Sequence, residues 1–197
     1  MPTLSVSDFS LIVVTSGKPK QTRVRNIAKR EPYAAFRDYY GPLRNSIKRL
    51  FIAKRHISHL YTICNRQEGS KKRNYEMIVN TFKDWQSGKN IQAFDPPREH
   101  YNFSQTSITC NPELHVVLNG QPRLVKLHFS NSDKMTQERA NIICALMEDS
   151  INDSGFEYSV LDLTSGKEYF FNGNYEKIYD RINNEIKELE KFWLEVA

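Results

Sequence analysis

Glu113, His115, Lys126 and His128 lie in two apolar-rich stretches, residues 113–118 and 124–129, on either side of Asn119-Gly120. A carboxylate can hold a hard cation, an imidazole can move a proton near neutral pH, and an ammonium can neutralise a phosphate. Whether these groups can act together depends on the backbone between them. Asn-Gly favours a tight hairpin turn, because both central residues tolerate positive φ. On a strand, residues two apart share a face, so Glu113, His115 and Val117 point one way and Leu114, Val116 and Leu118 the other. A two-residue loop pairs Leu118 with Gln121 and hence Glu113 with Lys126, whereas a four-residue loop through Pro122 pairs Glu113 with His128. Either register gathers the four polar side chains, and an odd loop would scatter them.

The plainest alternative needs no chemistry. Glu113 and Lys126 then form a solvent-exposed cross-strand ion pair, contributing roughly 0.2 to 1 kcal/mol, and His115 and His128 are half-exposed strand residues. Glu113, His115 and His128 include zinc-type donors, but Lys126 among them opposes a cation, and the expectation is no metal and no cofactor. Cys64, Cys110 and Cys144 are widely spaced, form no Cys-x-x-Cys pair, and read as buried thiols.

Around the hairpin, the chain divides by period. Ser10 to Ser16 reads as a strand, and Gly17 to Arg25 as a basic arm or loop. An element opens at Pro32 and carries Tyr33, Phe36, Tyr39 and Tyr40. Pro42 then starts a basic amphipathic helix with Leu43, Ile47, Leu50 and Phe51 at helical spacing. A polar loop from Asn65 to Lys72 precedes a second helix, striped by Tyr75, Ile78, Val79, Phe82 and Trp85 and ending near Gly88. After the rigid loop Phe94-Asp95-Pro96-Pro97, alternation predicts strands at 105–110, 114–118 and 124–129. A helix capped near Ser132 runs through Met147. Strands at 158–163 and 168–171, joined by Thr164-Ser165-Gly166-Lys167, are followed by a helix from Tyr175. The fold class is therefore α/β or α+β, a mixed central sheet with helices on both faces, divided into a basic N-terminal part over residues 1–70 and a core with a C-terminal helix over 71–197.

The 197 residues are 39% hydrophobic and 26% charged, with no apolar run near the ~20 residues that span a bilayer. Leu11-Ile12-Val13-Val14 is too short for a signal-peptide core, which points to a cytoplasmic protein without membrane contact. The net charge of +5 conceals a split: residues 1–100 carry 19 Lys and Arg against 8 Asp and Glu, and residues 101–197 carry 9 against 15. That asymmetry suits a polyanion or an acidic protein partner, or else the halves neutralise each other. Arg44, Lys48, Arg49, Arg55, Lys71, Lys72 and Arg73 are the candidate phosphate contacts. Phe36, Tyr39, Tyr40 and Phe51 read as core more than as stacking platforms. No glycine-rich phosphate loop, Gly-x-Ser-x-Gly elbow, His-Glu-x-x-His helix or RRM, KH, zinc-finger or helix-turn-helix signature occurs.

From residue 71 to 171 the order helix, three strands, helix, strand resembles the restriction-endonuclease-like fold of the PD-(D/E)XK nuclease group. Pro112-Glu113 resembles the first half of its motif. Twelve residues separate Glu113 from Lys126, and Lys126-Leu127-His128 falls where the group has an acid, any residue, then lysine. The resemblance implies a nuclease-like core with Glu113, Lys126 and His128 as vestiges of the active site. Lys126 replaces the second acid, and an ammonium repels Mg²⁺ where the chemistry needs several carboxylate oxygens. The resulting expectation is a non-catalytic nucleic-acid-binding module. An active nuclease with an altered metal site, completed by Asp38, Glu76 or Asp84, and a protein-interaction subunit are the alternatives.

Overall fold

The structure, a computed structural model, describes residues 1–31, 34–153 and 155–196. Among these, seven α-helices and two mixed sheets make an α+β protein. The larger sheet is ordered β2 (Ile91–Phe94), β5 (Leu114–Leu118), β6 (Gln121–His128), β7 (Glu157–Asp162), β8 (Glu168–Phe170). Its neighbours are antiparallel except β6 and β7, which run parallel. Parallel strands cannot be joined by a hairpin, and here the crossover is α6 (Gln137–Ile151). The smaller sheet places β4 (Thr106–Cys110) between β1 (Thr3–Ser5), which is parallel to it, and β3 (Glu99–Phe103), which is antiparallel.

Strand parity divides the larger sheet into two cores. Leu114, Val116, Leu118, Val125, Leu127, Phe129, Leu161 and Leu163 face α3 (Gly41–Leu50), α4 (Ser58–Cys64) and α5 (Gly69–Gln86), which supply Leu43, Ile47, Leu60, Tyr75, Ile78 and Phe82. Leu124, Tyr158 and Val160 face the other way, against α1 (Val6–Val13), α6, the smaller sheet and α7 (Tyr175–Val196). The helices of residues 1–70 thus pack on the core formed by the rest. On α7, Glu190 accepts hydrogen bonds from Ser104, Gln105 and Thr106, clamping the β3–β4 turn.

The N-terminal thirty residues correct the expectation of a strand and a basic arm. Residues 6–13 are helical: Ser5 caps α1 by accepting from the Asp8 amide at 3.0 Å, and Phe9, Ile12 and Val13 share the buried face. The segment from Gly17 forms α2 (Gly17–Ala28), with Pro19 in the first turn, and Lys20 pairs with Glu185 on α7. Of the element expected from Pro32, Pro32 and Tyr33 lie outside the described residues, and Ala35–Arg37 is a single 3-10 turn. α5 starts at Gly69, inside the expected polar loop. Thr136, not Ser132, caps α6 by accepting from the Arg139 amide. The strands β1, β2 and β3 and the helix α4 add to the elements expected from the sequence.

Candidate functional site

The β5–β6 turn has the geometry that Asn-Gly favours, with φ of 51° at Asn119 and 90° at Gly120. Gly120 supplies a conformation that L side chains rarely adopt. The turn is also tied to the neighbouring β2 end: the Asn90 amide donates to Asn119 Oδ1 at 2.9 Å, and the Asn119 amide donates to the Asn90 carbonyl at 3.0 Å. The two-residue register follows, with Leu118 opposite Gln121 and Leu114 opposite Val125. Glu113 therefore meets Lys126.

This pair is buried, each residue 6% exposed, which corrects the reading of a solvent-exposed ion pair. Lys126 Nζ donates to Glu113 Oε1 at 2.8 Å, to the Asn111 carbonyl at 2.8 Å and to Asn111 Oδ1 at 3.0 Å. Glu113 Oε2 accepts the Leu127 amide at 2.7 Å. All three ammonium protons are thus consumed inside the protein, and the carboxylate is engaged at both oxygens. The reason for the burial is tertiary: this end of the sheet lies beside β1, β4 and the β4–β5 connection, which strand parity cannot reveal.

His128 and Asp162 stand opposite each other on β6 and β7 on the same face. Both are buried, which corrects the half-exposed reading of His128. His128 Nε2 donates to the Ser130 carbonyl at 2.9 Å, and burial, reinforced by the Arg139 guanidinium, holds its pKa below the ordinary imidazole value against the opposing pull of Asp162 and the Ser130 and Asp133 backbone. Arg139 is itself buried, donating to the Asp133 and Lys134 carbonyls at 2.6 and 2.8 Å. Asp162 is engaged by its own turn, accepting from the Thr164 amide, the Thr164 hydroxyl and the Ser165 hydroxyl. His115 is half-buried and apart from this cluster, its ring 5.0 Å from those of both Phe94 and Phe156. Among the described residues no group of three His, Cys, Asp or Glu side chains could hold a metal ion. Glu76 and Asp84 lie on α5, beyond the opposite face of the sheet from Glu113, and Asp38 pairs with Arg44. The three cysteines are buried free thiols; burial pushes the Cys64 and Cys144 thiols up, and Cys110 up to about 11.

Two clefts that share Asn45 and Lys48 run along α3. One, of about 480 Å³, is lined by residues 3–5, Arg44, Asn45, Lys48, Arg98, Thr109 and residues 111–113. The other, of about 390 Å³, is lined by Asn45, Lys48, Arg49, Ile52 and Asp95. Arg44, Lys48 and Arg49 are thereby brought together, because residues 44, 45, 48, 49 and 52 fall on one side of a 3.6-residue helix whose Leu43, Ile47 and Leu50 are buried. Lys48, Arg49 and Arg98 make no ion pair within 4 Å among the described residues. Arg55, Lys71, Lys72 and Arg73 do not line either cleft: Arg55 contacts His59, Lys71 lies over the Tyr39 ring and Lys72 faces Glu76. Arg98, Asn45 and Asn111 were missed by the sequence reading. A basic residue directly after Pro96-Pro97 was the available signal for Arg98. Of the four aromatics, Tyr40 stacks on Phe129 and Phe51 packs on Phe82, whereas Phe36 and Tyr39 are solvent-exposed and so depart from a core role.

No helix among the described residues is long and apolar enough to cross a membrane. Compared with protein-family models, with curated proteins and with solved structures, the chain matches none.

Proposed function

We propose that this chain is a non-catalytic nucleic-acid-binding module, a nuclease-like core whose metal-binding end is closed by its own lysine. The observation that carries this reading is the groove along α3. Lined by Arg44, Lys48, Arg49 and Arg98, it ends on Glu113, and that carboxylate already bears the Lys126 ammonium at 2.8 Å. Lys48, Arg49 and Arg98, which make no ion pair among the described residues, are available to phosphates, while the carboxylate that would have to hold Mg²⁺ is neutralised.

Topology supports the nuclease-like part. The strand expected first, at 105–110, is β4 of the smaller sheet, which corrects that part of the reading; beside β5 and β6 the place is taken by β2, so that α5, β2, β5, β6, α6 and β7 run helix, three strands, helix, strand, with the β3–β4 hairpin inserted after β2. Glu113 and Lys126 fall at the second and third of those strands, as the motif resemblance requires. Of the 19 cations of residues 1–100, Lys20, Arg23, Arg30 and Arg44 are paired internally with Glu185, Asp133, Asp8 and Asp38, so the groove rather than the whole half is the phosphate contact.

The test is fluorescence anisotropy with labelled oligonucleotides over 50 to 300 mM salt (order of magnitude as for other phosphate-binding proteins), alongside incubation with Mg²⁺ or Mn²⁺. Binding should weaken steeply with salt, Lys48→Glu with Arg49→Glu should abolish it in a protein that still folds, and the oligonucleotides should stay intact. Unchanged binding by the charge-reversed protein removes the groove as the contact. Metal-dependent cleavage that disappears in Glu113→Ala replaces this reading with an active nuclease.

A further inference from the structure

At the edge of the larger sheet, β8 is shorter than the strand it pairs with. Ser159 stands opposite Phe170 and Leu161 opposite Glu168, so β8 stops before it reaches Glu157 and Tyr158 at the start of β7. Side chains border the gap in place of backbone: a cavity of about 260 Å³ there is lined by Phe156, Tyr158, Phe170, Phe171 and Tyr175, together with Glu148 and Glu157. None of these residues lines the clefts along α3. The aromatic wall is held in place. Asn141 exchanges two hydrogen bonds of 2.9 Å with the Asn172 backbone, the Gln137 side-chain amide donates to the Phe170 carbonyl at 2.7 Å, and the Phe171 and Tyr175 rings stack with centroids 3.9 Å apart. Phe170 and Tyr175 are each 39% exposed, so aromatic surface that closing the gap would bury is left facing water.

The charge around this cavity is negative. Glu148 and Asp149 lie in the last turn of α6, where the helix dipole is already negative and a basic residue would be the stabilising choice; that turn has none. Glu157 is answered by Arg123, whose guanidinium also lies 4.7 Å from the Phe170 centroid. Glu148 has no such answer. Among the described residues it makes no ion pair within 4 Å, and its one side-chain hydrogen bond comes from the Tyr175 hydroxyl. Burial first, opposed by the hydrogen bond to the Asp153 carbonyl and then reinforced by the Glu148 and Asp153 charges, pushes the Tyr158 hydroxyl up to about 12, as a negative field requires.

Aromatic faces attract cations, and an uncompensated carboxylate beside them adds a point charge of the right sign. The type of cation follows from the acceptors. A primary ammonium brings three N–H donors, more than Glu148 can satisfy while it holds the Tyr175 hydroxyl and Glu157 is engaged by Arg123. A fully methylated nitrogen has no donor to satisfy and turns methyl groups toward the rings. The size follows from the volume, which is below the roughly 300–1,000 Å³ of pockets for drug-sized ligands and so suits a single headgroup. We propose that this cavity binds a quaternary ammonium group, its methyl groups against the aromatic wall and its charge beside Glu148. The chemistry is the same whether the group is a free ion or ends a trimethylated lysine side chain, and it is independent of nucleic-acid binding along α3.

The test is calorimetric titration of the full chain with choline and with 3,3-dimethyl-1-butanol, which has the same shape and no charge. Choline should bind with a Kd of about 1 mM or tighter, and the alcohol at least about tenfold more weakly. Tyr175→Leu and Glu148→Gln should each weaken choline roughly threefold or more, whereas Tyr175→Phe, which keeps the ring, should bind it at least as well as the wild type. Urea midpoints check that the variants fold, and the choline–alcohol comparison in the wild type decides the matter even where one does not. A capped glycyl-(trimethyl-lysyl)-glycine peptide and its unmethylated counterpart identify the source: the methylated peptide should bind tighter than the unmethylated one, and its rank against choline separates a side chain from a free ion. Equal binding of choline and the alcohol, equal binding of the two peptides, wild-type affinity in folded Tyr175→Leu, or no heat from choline or the methylated peptide up to about 10 mM overturns the proposal. Each of these results leaves the α3 groove untouched.

Discussion

The two faces of the five-stranded sheet are built on different physics. Toward α3, α4 and α5, the inward side chains of β5, β6 and β7 are apolar apart from buried Ser159, which donates to Glu168, and the partly exposed Arg123–Glu157 ion pair, and the face is held mainly by removal of hydrocarbon from water. Toward α1 and α6, the same strands begin apolar at Leu124, Tyr158 and Val160 but end in Glu113, Lys126, His128 and Asp162, all buried, with Arg139 beside them. Hydrocarbon tolerates loss of one member in proportion to the volume removed. Charges held away from water tolerate it only if the partner goes too, since desolvation of each ion is offset by the other. A polar sheet end of this kind is costly to build: Glu113 and Lys126 engage both carboxylate oxygens and all three ammonium protons, whereas Arg139 Nε is buried without a hydrogen-bond partner among the described residues.

The largest effect should come from separating that pair. Glu113→Ala leaves the Lys126 ammonium with only the two Asn111 oxygens and strips the Leu127 amide of its acceptor, so urea unfolding should register a loss of about 3–5 kcal/mol. Glu113→Gln combined with Lys126→Met should recover most of it, because neither side chain then carries a charge. A double variant as unstable as Glu113→Ala would show that the two faces obey one rule after all.

Leu114→Ala, one residue along and on the opposite face, supplies the contrast. It should cost about 2–4 kcal/mol, the lost transfer energy plus the cavity. Removing its neighbour Val116 as well should add to that loss instead of relieving it, read from the same urea midpoints. Relief in this second pair would mean that the apolar face is also stitched by specific matching.

The same contrast explains what could be read from sequence. The register of β5 and β6 was legible because parity and Asn119-Gly120 are local, and α3, α5 and α7 were legible because their apolar stripes repeat over ten residues or more. α1 was masked by Leu11-Ile12-Val13-Val14, a β-favouring run; Ser5 and Asp8, three residues apart, were the available signal for its start and went unread. α2 offers only Val24 as a buried residue, so its helical period is nearly silent and its packing comes from Lys20 reaching α7. At the site, parity shows that Glu113 and Lys126 share a face but not what covers that face. Asn111 as a double acceptor arises from the β4–β5 connection folding onto Lys126, and Arg98 as a groove residue from the β2–β3 connection meeting α3, contacts that strand parity does not describe.

The smallest effect, a single proton, tests whether the polar end is truly shielded from water. In the folded chain, burial and Arg139 hold the His128 pKa below its ordinary value of 6.5, so above that pH the ring is neutral in folded and unfolded chains alike. As pH falls through 6.5 the unfolded chain takes up the proton while the folded chain resists it, and stability declines until the depressed folded pKa is passed. His128→Gln places an amide N–H where Nε2 donates to the Ser130 carbonyl and has nothing to titrate. Between pH 7.5 and 5.5 (the window set by the imidazole pKa of about 6.5), urea midpoints of the wild type should therefore fall more than those of the variant, their difference being greatest at the upper end. Every other group is common to both proteins and cancels in the comparison. Parallel curves would place His128 in contact with solvent, and the polar end of the sheet would then differ from the apolar face only in composition.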